Sequence, residues 1–155
     1  MATKKQTPKK QAAAQTQTKT VPVDFIHAYT TLPAPVYCLT VAAQKIYAGE
    51  RVSRSKAVHV VFCSDHVIKK LNTQFRNKPK ATDVLSFNYD EEDFIGEIYI
   101  SLQRAAVQAR RYNSTYDEEI ERLFVHGMMH LLGFDHETES DRTVMEAQEA
   151  LYRTC

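Results

Sequence analysis

The sequence predicts a single α+β domain, with about four strands of sheet surrounded by helices. Three observations lead there. The chain has 155 residues, enough for one hydrophobic core. Its apolar period changes repeatedly, from β-type runs at 57–63, 83–89 and 94–100 to helical spacing between and after them. Residues of the kinds that start and stop helices (Gly49, Ser64, Ser101, Thr115) fall at those changes. There is no internal repeat, and no apolar run is long enough to cross a membrane.

Residues 1–21 are Lys, Gln, Ala and Thr with almost no apolar bulk, which predicts a disordered basic tail ahead of one domain at 22–155. They lack the apolar core of a secretion signal, and they lack the Arg, Ser and amphipathic pattern of a transit peptide. Five of the 20 basic residues lie in 1–23 with no acid, so the rest holds 15 basic and 19 acidic, a net −4. No overall positive field advertises nucleic acid. The charge is polarised, however: Arg51 to Lys80 carries eight basic residues against Asp65 alone, one basic wall. Cys38, Cys63 and Cys155 show no CxxC spacing. The expectation is a reducing compartment and no disulfide framework, with Cys38 and Cys63 as buried small hydrophobes and Cys155 exposed.

In order, Val21 to Ile26 is a candidate first strand, and Pro33 and Pro35 lead into a helix over Val36 to Tyr47, with Leu39, Ala42, Ala43 and Ile46 inward. Ala57 to Cys63 is rich in β-forming residues and nearly all apolar, a strand expected to be buried on both faces. Ser64 and Asp65 are cap types for a helix with Val67, Ile68, Leu71 and Phe75 inward. After a polar loop, 83–89 and 94–100 form a hairpin across an acidic turn. Ser101 caps a helix through Arg111, with Leu102, Ala105, Ala106 and Ala109 inward. Thr115 starts the next, with Asp117, Glu118 and Glu119 in its positive first turn and Ile120, Leu123, Phe124, Gly127 and Leu131 buried. A last helix runs from Glu139 to about Tyr152, with Val144, Ala147 and Leu151 inward.

The stretch Val125 to His136 carries three of the six histidines as H-x3-H-x2-G-x2-H. His126 and His130 leave one helix face a turn apart. Gly133 permits a left-handed turn at the helix end, so His136 can approach from outside. Three neutral imidazoles with an open fourth position make a catalytic type of zinc site; another divalent ion would fit the same donors. The spacing is that of metzincin proteases, but Gly127 stands where they carry a general-base Glu. His59 and His66 have no partners at metal spacing, and Met128 and Met129 are core packing.

Three stretches, LNxxFRxKxxxTDVLSF (71–87), IGEIYIS (95–101) and HGMMHLLGFDH (126–136), together resemble the YbeY family of bacterial endoribonucleases, the rRNA maturation factors. The likeness covers roughly residue 57 to the end. Departures lie in the loop, with Pro79-Lys80-Ala81 for the family's Asp-Lys-Pro, and at Asn88, where Pro is usual. The resemblance implies a cytoplasmic, single-strand-specific, metal-dependent endoribonuclease acting in rRNA processing and ribosome quality control, with the small ribosomal subunit as partner. It implies one Zn2+ on His126, His130 and His136, and Arg76 as the essential arginine.

The chemistry agrees. Cleaving a phosphodiester requires stabilising extra negative charge, which a zinc ion and its activated water can supply and which a permanently charged guanidinium, Arg76, can clamp bidentately. Lys78 and Ser86 are candidate phosphate contacts, and Asp135 a candidate for orienting a ligand or capping the turn. Asp83 and Glu97 are either pocket carboxylates or strand-end hydrogen bonders. The attacking group is left open between a zinc hydroxide and the RNA 2′-hydroxyl. Two other functions remain at this point: a metallohydrolase of another bond, a protease above all, and a non-catalytic ribosome assembly factor with a structural zinc.

Overall fold

Strand β2 (Ala57–Cys63) is the most apolar segment of the chain and takes the centre of the sheet. A computed structural model describes residues 20–155. The disorder expected of residues 1–19 lies outside the described residues. Val21, assigned to the tail, is buried in the core, so packing begins ahead of the expected boundary.

The sheet has four strands in the order β1-β2-β4-β3. β1 (Val23–His27) pairs parallel with β2, and β2 pairs parallel with β4 (Phe94–Ser101). β3 (Val84–Asn88) closes the expected hairpin, antiparallel to β4. The helices are α1 (Val36–Gly49), α2 (Asp65–Arg76), α3 (Leu102–Arg111), α4 (Tyr116–Leu131) and α5 (Glu139–Tyr152). The N-caps expected from the sequence form, whereas α1 runs on through Gly49, two residues past its expected end at Tyr47, and is capped by Glu50. Ser64 accepts from the Val67 N–H, Ser101 from Arg104, and Thr115 makes a reciprocal capping box with Glu118.

One face of β2 and β4 (Val58, Val60, Phe62, Ile98, Ile100) is fully buried in the main core, with α1, α4 and α5. On the other face a smaller cluster joins Cys63, Ile68 and Leu85, covered by α2. Contrary to the expectation of a strand buried on both faces, β2 leaves His59 and Val61 half-buried, because a single helix covers that side. α4 buries the stripe that its sequence announces, Met128 and Met129 included.

Two helices are rotated from expectation. In α5 the buried residues are Met145 and Tyr152, while Val144 and Leu151 are 50% and 66% exposed and Ala147 also faces out. In α2, Ile68 and Asn72 are buried and Phe75 is exposed, because Asn72 turns in to hold the following loop. The cysteine expectation also needs correction. Cys38 and Cys155 form a disulfide, with Cα atoms 6.4 Å apart. A sequence separation of 117 residues hid that pairing. The two meet because the Cys155 N–H donates at 2.8 Å to Glu121, a buried carboxylate on α4 beside α1. Cys63 is buried and free, as expected.

Candidate metal centre and RNA-cleaving site

The site lies where the end of α4 meets β3 and the end of α2. α4 carries His126 and His130 one turn apart. The helix then stops: Gly133 adopts φ +95°, and the N–H groups of Gly133 and Phe134 return to the carbonyls of His130 and Met129 at 3.1 and 3.0 Å. That turn brings His136 back over the helix end, and its own N–H donates to the Asp135 carboxylate at 2.7 Å. The three rings stand 4.6, 5.0 and 5.8 Å apart between centres.

The donor set fits a metal. One nitrogen from each ring lies within 4.8 Å of the other two, and the Nε2 atoms of His126 and His130 are 3.1 Å apart. Two nitrogens each about 2.0–2.1 Å from a tetrahedral zinc would lie roughly 3.3 Å from one another. Burial and the neighbouring imidazoles of His126 and His136 hold the His130 pKa below its ordinary value, against Asp135, so its lone pair is available at neutral pH. On the far side of the His126 ring, Nδ1 sits 2.6 Å from Glu149 of α5. No ligand motif extends to Glu149, 13 residues past His136. Its only sequence signal was spacing on the 145–149–152 face of α5, the face the apolar pattern did not favour.

The histidines open into a cleft of about 500 Å³ that also takes in Arg76, Asp83, Ser86, Asn88 and Asp135. Arg76 is the last residue of α2. Asn77 then turns left-handed, and the loop is pinned by Asn72, whose carbonyl accepts from the Lys78 N–H at 3.1 Å and whose amide donates to the Lys80 carbonyl at 2.9 Å. The Arg76 side chain is exposed and makes no hydrogen bond or ion pair among the described residues. Ser86 donates to the Gly127 carbonyl at 3.2 Å and Asn88 to that of Leu131 at 2.8 Å, so β3 is tied to the ligand helix along the cleft floor. Asp83 lines the cleft and also closes its own strand end, accepting from the Val84 N–H at 2.8 Å and the Gln108 amide at 3.2 Å. Lys78 sits on the exposed loop outside the cleft lining, and Glu97 is held by Tyr89 and Tyr99 away from it.

Gly127 points into the sheet. A Cβ there would stand 2.8 Å from Ile98 Cγ2 and 3.1 Å from the Ser86 hydroxyl. The position that carries the general base in metzincins is therefore a packing contact here, with no room for a carboxylate.

A family model described as Endoribonuclease YbeY matches residues 36–154. The chain belongs to the YbeY family. Among its relatives, the Endoribonuclease YbeY of Desulforamulus reducens is 42% identical over 111 residues, covering 65% of this chain and 72% of the relative. That of Pelotomaculum thermopropionicum is 39% identical over 120 residues, covering 72% and 79%. The solution structure of a Thermotoga maritima protein superposes with a TM-score of 0.60 at 30% identity, over 84% of this chain and 85% of that one. No helix among the described residues is long and apolar enough to cross a membrane.

Proposed function

We propose that this YbeY-family protein is a zinc-dependent endoribonuclease that cuts single-stranded RNA during rRNA maturation, acting in the cytoplasm on the small ribosomal subunit. The observation that carries this reading is Arg76, whose side chain has no partner among the described residues, sharing one open cleft with three convergent imidazoles. When bound on His126, His130 and His136, a zinc ion supplies Lewis-acid polarisation of a phosphoryl oxygen.

The protein's own groups do the rest. The Arg76 guanidinium binds the scissile phosphate through two oxygens and stabilises the charge that grows there; no partner among the described residues competes for its donors. Ser86 and Asn88 spend their hydrogen bonds on α4 carbonyls, so they fix the distance between β3 and the ligand helix rather than gripping RNA. Asp135 holds the backbone of His136 and so the angle of the third ligand. Lys69 and Lys70 on the exposed side of α2, with Lys78 and Lys80 beyond its end, extend positive charge along the approach to Arg76.

The test is cleavage of a single-stranded rRNA fragment by zinc-loaded protein. Arg76→Ala should bind zinc normally and cleave about 10²–10³-fold more slowly. Equal cleavage by both would sink the role of Arg76. Casein cleavage abolished by His130→Ala would replace the RNA reading with a protease.

A further inference from the structure

His126 is gripped at both ends. Its Nε2 faces His130 Nε2 at 3.1 Å, and its Nδ1 faces Glu149 Oε1 at 2.6 Å. The Glu149 side chain is only 15% exposed, and His126 is its one hydrogen-bond partner among the described residues. Of the two arginines lining the same pocket as Glu149, Arg122 is already forked onto both oxygens of Glu119 at 3.0 and 2.7 Å, and Arg142 makes no ion pair with Glu149. A carboxylate so placed accepts only from an Nδ1–H, which leaves the lone pair on Nε2.

The place of Glu149 is set by packing. Met145 lies one turn before it and Tyr152 nearly one turn after, and both are buried, with the Tyr152 hydroxyl donating to Glu50 just past α1. The three form the one face by which α5 sits on the rest of the domain.

We propose that Glu149 is the positioning residue of the metal centre. It fixes the tautomer and aim of His126 and thereby makes metal affinity depend on the seating of α5. By linkage the dependence runs both ways: the metal, once bound, holds α5 down. A hydrogen-bonded carboxylate also makes the imidazole a stronger donor to the ion. This rests on a metal occupying the three histidines and is independent of the RNA reading.

The experiment is zinc affinity by competition with a chromophoric chelator, without RNA, on the full chain and four variants, each with its metal-free melting temperature. His130→Ala should lose one-to-one binding, which shows that the assay reads this cluster; if it does not, the metal reading itself fails. Glu149→Ala should bind about 10–100-fold more weakly. Glu149→Gln, which keeps an acceptor but loses the charge, should fall between Ala and wild type. Glu146→Gln, on the same helix, should match wild type. Hydrogen exchange over residues 139–152 should slow on zinc addition in the wild type and not in Glu149→Ala. Zinc affinity of Glu149→Ala within twofold of wild type would overturn the proposal. If that variant does not fold, wild-type affinity in Glu149→Gln would overturn it equally.

Discussion

Helices α4 and α5 approach the same histidine from opposite sides and by opposite means. α4 is buried around most of its circumference. Ile120, Leu123, Phe124, Val125, Met128 and Met129 are at most 1% exposed, and from that core the helix presents His126 and His130, two of the three candidate ligands, to the cleft. α5 rests on two buried residues, Met145 and Tyr152, and delivers a single carboxylate to the outer nitrogen of one ligand. The difference separates two tasks. The ligands need a frame that does not move, which α4 obtains from its packing. The hydrogen bond that orients them can come from a lighter element, whose attachment then becomes adjustable by what the ligands hold.

The largest effect is expected at the histidines. Replacing His130 by Ala should abolish one-to-one zinc uptake and bring RNA cleavage to background, where loss of the α5 carboxylate only weakens uptake. Equal losses from both helices, measured by zinc titration, would mean that α5 is as much a part of the frame as α4.

Stability tests the seating of α5. Met145→Ala should cost about 2–5 kcal/mol in urea unfolding of the metal-free protein, as for other buried large-to-small changes. Val144→Ala, at a half-exposed neighbour, should stay within about 0.5 kcal/mol. The reverse order would mean that α5 docks by its other face and that Glu149 does not reach His126.

That pair of residues also shows what was legible from the chain and what was not. α4 could be oriented because its apolar stripe, its capping box and its ligand spacing all point to one face. α5 offers two apolar stripes, 144–147–151 and 145–149–152, and the first contains no charge. The second wins because the surface it meets holds His126, which satisfies the carboxylate, and because Tyr152 finds Glu50. A pattern of hydrophobicity cannot register a polar residue whose partner lies on another helix. The same blindness applies to Asn72 in α2 and to the Cys38–Cys155 pair, each explained by contacts remote in sequence or by a loop's hydrogen bonds. The cleft residues Arg76, His126, His130 and His136 were legible because local motifs carry them; the strand order β1-β2-β4-β3 was not, since no motif spans it.

On the α4 side, the contact that replaces a protease's general base can be probed directly. Gly127→Ala should destabilise by about 1–3 kcal/mol, since its Cβ would meet Ile98 at 2.8 Å within a closed core. Thermal or urea unfolding reads it. A neutral result would mean that α4 stands farther from β4 than 2.8 Å allows, and that a longer side chain at 127 has somewhere to go.

The smallest effect expected is in pH, and it belongs to α4 alone. Burial, then the facing His126 and His136, lowers the pKa of His130 in the folded protein from 6.5, with Asp135 and the Phe134 backbone opposing. In the window between that lowered value and 6.5 the unfolded chain binds more protons than the folded one, so metal-free stability rises with pH there. The contribution is complete above 6.5 and is lost as pH falls through the folded-state value. Melting temperature of the metal-free protein should therefore drop on acidification below 6.5, and the drop should be smaller in His130→Gln, which has nothing to titrate at that site. Zinc holds the same nitrogen without its proton, so the loaded protein should keep its melting temperature further into acid before it fails. Identical pH profiles for wild type and His130→Gln would show that His130 is as freely solvated as an exposed imidazole, and that α4 does not hold it as a preformed ligand.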